Sequence, residues 1–117
     1  MTSSYNNGIV SIFYDYPVAN TKAEIVLPAP GSDYCWVIED ILYGFDVAPA
    51  AAKTLTIKFG AVSAIVHPVT AFDGKRYNPV GGLRGKSNEA VTITLAADSG
   101  GAIGYISAQV KKGHAPA

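Results

Sequence analysis

The chain has 117 residues, and its nine lysines and arginines balance nine aspartates and glutamates, so its formal net charge is zero. Only 15% of the residues are charged and 49% are apolar, which excludes a disordered chain, because such chains combine low hydrophobicity with high net charge. Zero net charge also argues against a nucleic-acid partner, since nucleic-acid binders carry a basic domain. The length predicts a single domain over residues 1–117.

Residue types that suit a pleated sheet dominate the composition. Val, Ile and Thr number 11, 10 and 7, whereas Glu and Gln together number four and Leu five, so strong helix formers other than alanine are scarce. The 12 glycines and seven prolines are spread along the chain, where they act as turn signals. This composition predicts an all-β domain.

Two strands are predicted before the first evident loop. Residues 1–7 are predicted to be a flexible N-terminal arm, and Ile9 to Tyr14 to be the first strand. Lys22 to Leu27 alternates apolar and polar residues and predicts the second strand, with its odd-numbered residues on one face. Residues 28–33 hold two prolines and predict a loop, because proline cannot continue a ladder of hydrogen bonds.

The longest apolar stretch, Tyr34 to Phe45, is predicted to be the third strand. Its spacing also fits a helical stripe, but its β-branched and aromatic content favours a strand. Strict alternation places Trp36, Ile38, Asp40 and Leu42 on one face and Val37, Glu39, Ile41 and Tyr43 on the other. Because both faces carry apolar residues, we expect cover on both sides, as in a sandwich that also packs in an oligomer.

Two further strands are predicted after a loop over residues 46–53. Thr54 to Phe59 alternates cleanly, with Leu55, Ile57 and Phe59 facing inward. Val62 to His67 is predicted to be the next strand, stopped by Pro68.

The remaining chain contains one unusual segment between predicted strands. Residues 73–88 are predicted to be a long basic loop without regular structure, and loops of that length in compact domains are usually functional or disordered. Val91 to Leu95 predicts a half-buried strand, residues 97–101 a hairpin turn, and Ala102 to Val110 the returning strand. Residues 111–117 are predicted to be a flexible tail. About eight strands at regular spacing predict one antiparallel β-sandwich or barrel.

The long basic loop supplies the candidate binding residues. Its charges are either merely solvated, or they dock on an acidic surface of a neighbouring subunit or partner, or they contact a nucleic acid or an anionic glycan. Tyrosine gives contact area at low entropic cost, so the tyrosine within the loop favours recognition. With one residue of the N-terminal arm, the predicted partner-binding or oligomer-binding residues are Lys75, Arg76, Tyr77, Asn78, Arg84, Lys86 and Tyr5.

Tyrosines outnumber phenylalanines seven to four, and several stand at predicted strand ends or in loops. Tyrosine is enriched at protein interfaces because it combines apolar area with a hydroxyl group. A sugar-binding site uses the same residue type, so the signal favours binding without naming the ligand. The tyrosines in these positions are Tyr5, Tyr14, Tyr16, Tyr34 and Tyr77.

No catalytic residue, metal site or cofactor is predicted. The two histidines, His67 and His114, are 47 positions apart and do not form a metal-binding or nucleophile–base spacing. Glu39 and Asp40 are predicted to point to opposite faces of a strand, where solvated or salt-bridged roles are expected. The single cysteine, Cys35, excludes an intrachain disulfide and is predicted to be a buried thiol with no cation nearby.

The start of the chain does not have the pattern of a signal peptide, and no apolar run reaches 18 residues. The expectation is therefore a protein made in a cytoplasm, with no membrane partner.

The order and pattern of the strands resemble a known family. The relevant runs are residues 36–43, Pro49, residues 55–57, residues 90–95 and residues 104–106. Over Tyr34 to Val110 they are similar to small all-β structural proteins of tailed-phage virions, of the capsid-decoration or head- and tail-fibre type. The resemblance implies a jelly-roll-like sandwich, often a trimer, that binds a capsid or tail lattice and has no catalytic residues.

The leading hypothesis is therefore a non-enzymatic structural virion protein, assembled in the host cytoplasm. It would self-associate, with a trimer favoured, and bind a major capsid or tail protein. The alternative is a carbohydrate-binding, lectin-like module that stacks sugars on tyrosine and tryptophan, so a glycan ligand stays open.

The zero net charge hides an uneven distribution along the chain. Residues 1–52 hold six acidic residues and one lysine, whereas residues 53–117 hold eight basic and three acidic residues. The two halves either neutralise each other within one fold, or they let an acidic edge of one subunit meet the basic loop of the next.

Overall fold

The structure is a computed structural model that describes residues 10–69 and 75–114. These residues form nine β-strands and no helix, which confirms the prediction of an all-β fold. The strands are β1 (Val10–Asp15), β2 (Ala23–Leu27), β3 (Tyr34–Phe45), β4 (Lys53–Phe59), β5 (Val62–Val69), β6 (Lys75–Tyr77), β7 (Leu83–Arg84), β8 (Val91–Leu95) and β9 (Gly104–His114).

The strands form two antiparallel sheets packed as a sandwich, as the sequence predicted. Sheet A has the order β1-β9-β3-β6, with β7 also paired to β3, and sheet B has the order β2-β8-β4-β5. The strand pairs are nested in sequence, which means that each pair lies between the two members of the pair before it, as in a long hairpin that has folded over itself. These pairs are β1·β9, β2·β8, β3·β6 and β4·β5. That nesting is the connectivity of a jelly roll.

The segment between β8 and β9 corrects the prediction of a hairpin. The two strands lie in different sheets, so this segment crosses from sheet B to sheet A. Asp98 fixes the crossing, because its carboxylate accepts hydrogen bonds from the backbone N–H groups of Ala50, at 3.0 Å, and Ala102, at 3.1 Å. A turn does lie within the predicted residues 97–101, since the N–H of Gly101 donates to the carbonyl of Asp98 at 3.4 Å, but turn chemistry alone does not say which strand the chain pairs with next.

The core lies between the sheets and is lined by the alternating residues that the sequence predicted in sheet B. All odd-numbered residues of β2, β4 from Leu55 onward, and β8 are buried, and their neighbours are more exposed. From sheet A, Trp36 lies almost wholly inside, and its indole N–H donates to the carbonyl of Pro28 at 2.7 Å.

A β-bulge in β3 makes the predicted alternation wrong for half of that strand. Ile38 pairs with Val110 and Asp40 with Gln109, so Glu39 is an extra residue without an opposite partner. The core therefore takes even-numbered residues before the bulge and odd-numbered residues after it. These core residues are Trp36, Ile38, Ile41, Tyr43 and Phe45.

Two predicted strand ends are also corrected. Pro68 does not stop β5, which continues to Val69, because β5 is an edge strand and proline is tolerated where its missing N–H would face outward. The strand β9 does not end at Val110 but continues to His114, because β3 pairs with it along that length. Of the predicted tail, residues 115–117 lie outside the described residues, as does the predicted arm over residues 1–7.

Candidate functional site

The predicted basic loop contains two short strands, so the prediction that it lacks regular structure was wrong. Residues 75–77 form β6 and residues 83–84 form β7, and both pair with the same edge of β3. Tyr77 and Leu83 pack against the core and anchor the two strands. Runs of three and two residues are too short to show a period, which is why the sequence pattern missed them.

Arg76 has a partner within its own chain. Its Nη2 lies 2.8 Å from Oδ2 of Asp40, and its Nε lies 3.0 Å from both carboxylate oxygens. Asp40 is buried, whereas the Arg76 side chain is 63% exposed. The guanidinium thus covers a buried carboxylate and keeps one side in contact with solvent, as charge-assisted pairs allow.

The same contacts shift the ionisation of Asp40. Hydrogen bonding from Arg76 is the main cause that holds the pKa of Asp40 below its ordinary value, and it outweighs burial, which acts in the opposite direction. The charge of Arg76 and a hydrogen bond with Asn78 lower the pKa further. Arg76 and Asn78, two of the predicted site residues, therefore both stabilise this carboxylate.

The adjacent carboxylate, Glu39, lies on the same face of the sheet as Asp40. Both stand between the core residues Ile38 and Ile41 because of the bulge, and Glu39 Oε1 lies 3.2 Å from Nζ of Lys111. The prediction of salt-bridged roles is confirmed, whereas the prediction of opposite faces was wrong, because strict alternation does not allow for a bulge.

Arg84 lies beside the only cysteine. Its Nη1 is 3.7 Å from Sγ of Cys35, which is fully buried and also contacts the carbonyl oxygen of His114 at 3.8 Å. The prediction of a buried thiol is confirmed, but the expectation of no nearby cation was wrong. The register of β7 against β3 brings Arg84 there, and this register is not visible in the sequence.

The other predicted site residues do not gather into one cluster. Lys75 and Lys86 are exposed, and the backbone N–H of Lys86 donates to Glu89 at 3.3 Å. Arg76 pairs opposite Leu42 and Arg84 opposite Val37, and these two positions of β3 lie about 14 Å apart along the sheet, because their partners on β9 are four positions apart. Tyr5 lies outside the described residues. Contact of these residues with a partner stays a prediction.

An exposed, tyrosine-rich surface lies on the outer side of sheet A, and we call it the aromatic face. Tyr14 is 78% exposed and pairs with Ser107, which in turn pairs with Leu42 on β3. The rings of Tyr16 and Tyr105 meet edge to face with their centroids 6.5 Å apart. The aromatic face consists of Ile12, Tyr14, Tyr16, Leu42 and Tyr105.

Sequence reasoning found only part of the aromatic face. Tyr14 and Tyr16 were singled out, but Leu42 was assigned to the opposite face because the bulge was not visible. Tyr105 could have been found from the alternation around the buried Ile106. Two other singled-out tyrosines are packed within the chain: Tyr77 contacts the core, and Tyr34 stacks on His114 at 5.2 Å.

A shallow polar groove of about 480 Å³ lies on the outer side of sheet B. Glu24 accepts a hydrogen bond from Thr94 at 2.9 Å and lies 3.3 Å from Nζ of Lys22, so its charge is compensated within the groove. Lys58 adds a further positive charge. The side chains around it are Lys22, Glu24, Thr56, Lys58, Ser63, Thr92 and Thr94.

Within residues 10–69 and 75–114, no group of three or more His, Cys, Asp and Glu side chains could hold a metal ion. The same residues contain no helix long and apolar enough to cross a membrane. No protein-family model matches the sequence, and no curated protein matches it.

Proposed function

We propose that this protein is a non-enzymatic structural component of a phage virion, which self-associates and binds a capsid or tail surface. The observation that carries the proposal is the aromatic face. Three tyrosines and two aliphatic residues stand together on the outside of sheet A, where a monomeric sandwich in water gains nothing from them. Exposed apolar side chains grouped on one face in this way mark an interaction site.

The composition of the aromatic face supports a protein partner. Tyrosine combines apolar area with a hydroxyl group and is enriched where proteins bind each other. The Asp40–Arg76 pair lies beside Leu42 and supplies a charged rim, the arrangement that interfaces use around an apolar centre. The virion assignment itself is supported by the resemblance in strand pattern and by the jelly-roll connectivity.

Light scattering coupled to size-exclusion chromatography tests self-association, and binding to virions assembled without this protein tests the lattice contact. We expect a mass of two or more chains and saturable binding. Tyr14→Ser with Tyr105→Ser should weaken lattice binding without unfolding the protein, because both side chains lie outside the core. A protein that stays monomeric at high concentration and does not bind such virions would refute the proposal.

Carbohydrate binding is the second candidate, and the polar groove on sheet B favours it. Threonine and serine hydroxyls both donate and accept hydrogen bonds, as sugar hydroxyls require, and the groove volume falls in the range of about 300–1,000 Å³ of small-ligand sites. The aromatic stacking once expected from Trp36 is excluded, because that residue lies in the core.

A glycan array tests this second candidate. Binding that Thr92→Val and Lys58→Ala both abolish, and that Tyr14→Ser leaves intact, would support a lectin-like site in the groove. An array without any bound glycan would rule it out.

A further inference from the structure

The two sheets have four edges, formed by β1, by β6 together with the two-residue β7, by β2 and by β5, and these edges differ in how well they are protected from pairing with another chain. Edge strands are protected by short length, charge, proline or irregular register. The edge strand β6 has three residues, two of them basic, and β5 contains Pro68 and pairs with β4 through a register irregularity after Ile57. These two edges are therefore poor templates for pairing.

The edge of β2 is partly closed by the chain itself. The backbone N–H of Glu24 donates to the carboxylate of Asp15 at 2.8 Å, so this outward donor is already used. Pro28 follows directly after the last residue of β2.

The edge of β1 has the fewest of these protections, since its one charged residue, Asp15, already binds the backbone N–H of Glu24. Its six residues contain no proline and no lysine, and their pairing with β9 runs without a register shift. No strand of the described part of the chain pairs with the other side of β1. Ile12, at 63% exposure, and Tyr14, at 78%, stand on it as exposed apolar side chains. It combines the exposed backbone and the apolar surface that strand addition requires.

We infer that β1 pairs antiparallel with β1 of a second copy, which joins the two A sheets across a two-fold axis. This inference rests on the proposed self-association and names its geometry. Only one edge is open among the described strands, and an open edge that meets its own copy gives an isologous, closed dimer.

The side chains of β1 suit this pairing. Opposite residues of antiparallel strands point to the same face, so an axis at Phe13 sets Ile12 against Tyr14 of the second copy. The aromatic faces of the two copies then become continuous. The only charged residue of β1, Asp15, would lie opposite Ser11 of the second copy, which keeps the two carboxylates about 14 Å apart. Parallel pairing in register would instead place these carboxylates side by side.

The test combines oligomer mass with hydrogen exchange on the full chain. We expect a dimer, and Ile12→Lys should raise its dissociation constant by about tenfold or more, because lysine on an edge strand disfavours pairing. The matched control is Val26→Lys, on the edge strand β2, where the wild-type side chain is 61% exposed. It should leave the dimer intact, and both variants should keep the wild-type thermal midpoint. Amides of β1, but not of β2, should gain protection from exchange as protein concentration rises.

The outcomes separate this inference from the proposed function. A trimer or larger oligomer that Ile12→Lys does not change would overturn edge pairing and leave self-association standing. A dimer without concentration-dependent protection of β1 would also overturn it, because such a dimer associates through side chains alone. A strict monomer would overturn edge pairing and self-association together.

Discussion

Gly82 lies at the point where the segment after β6 closes onto β3, and the structure requires a glycine there for two reasons. Its φ is +82°, and an added Cβ would lie 2.6 Å from Cγ1 of Val37. Its neighbour Gly81 has a φ of +78° with nothing within 4 Å of an added Cβ. An alanine at position 81 therefore adds backbone strain alone, whereas an alanine at position 82 adds the same strain and a steric clash.

We expect Gly81→Ala to lower the free energy of unfolding by about 1–2 kcal/mol, the cost of a left-handed conformation for a residue with a side chain. Gly82→Ala should cost about 2–4 kcal/mol, because overpacking against Val37 adds to that strain. Urea unfolding of both variants measures the difference. Equal losses would mean that Val37 moves aside without cost.

Asp40 gives a prediction about pH at the same scale. Its folded-state pKa is held below the ordinary value, chiefly by hydrogen bonding from Arg76, so its charged form stabilises the fold. That stabilisation is complete above the unfolded pKa, about 3.9, and is lost as the pH falls through the lower folded pKa.

Asp40→Asn should therefore lower the free energy of unfolding by about 1–2 kcal/mol at neutral pH, where the wild-type pair is charged. The difference from wild type should shrink as the pH falls below the unfolded pKa. Glu39→Gln is the control, because its pair with Lys111 is part-exposed and such pairs contribute about 0.2–1 kcal/mol. A loss at Asp40 that does not change with pH would contradict an electrostatic origin.

At the scale of elements, the bulge in β3 explains why the prediction of strict alternation failed, and it suggests a test by deletion of single residues. Deleting Glu39 leaves a strictly alternating strand in which Ile38 and Ile41 both still face the core. Deleting Leu42 instead would turn Tyr43 and Phe45 outward, because a one-residue shift reverses every following side chain.

We expect the chain without Glu39 to fold cooperatively, with a modest loss of stability. The chain without Leu42 should not fold, since the loss of a buried aromatic side chain costs about 3–5 kcal/mol and small domains have only about 5–15 kcal/mol in total. Circular dichroism and thermal unfolding distinguish the two. Equal behaviour of the deletions would show that β3 can slide along its neighbours.

The strands that the sequence predicted well are those with an unbroken period. The alternation in β2, β4 and β8 fixed their buried faces, because one residue in two must face the core. The features that were missed depend on contacts across the chain. The bulge at Glu39 follows from pairing with β9, and β6 and β7 are held in place by β3. The aromatic face unites residues from β1, β3 and β9, whose adjacency no local pattern reveals.

At the scale of the whole molecule, the acidic first half and the basic second half meet within one subunit. Asp40 pairs with Arg76 and Glu39 with Lys111, so two of the acidic residues of the first half are neutralised by bases of the second. The centre of the candidate interface, in contrast, is formed by the uncharged side chains of the aromatic face, and the charges of Asp15, Asp40 and Arg76 already have partners within the chain. Because these charges are paired within the subunit, we expect the aromatic face and β1, and not the basic segment, to drive association.

Self-association should accordingly depend little on salt. We expect the dissociation constant, measured by analytical ultracentrifugation, to change by less than about threefold between about 50 mM and about 500 mM NaCl, because salt screens exposed charges and not apolar contacts. Arg84→Glu should also leave it unchanged. If the basic segment instead docks on an acidic neighbour, salt and Arg84→Glu should both weaken association by about tenfold or more, while Ile12→Lys should have little effect. An interface on β1 and the aromatic face and an interface on the basic segment thus predict opposite effects of salt, of Arg84→Glu and of Ile12→Lys.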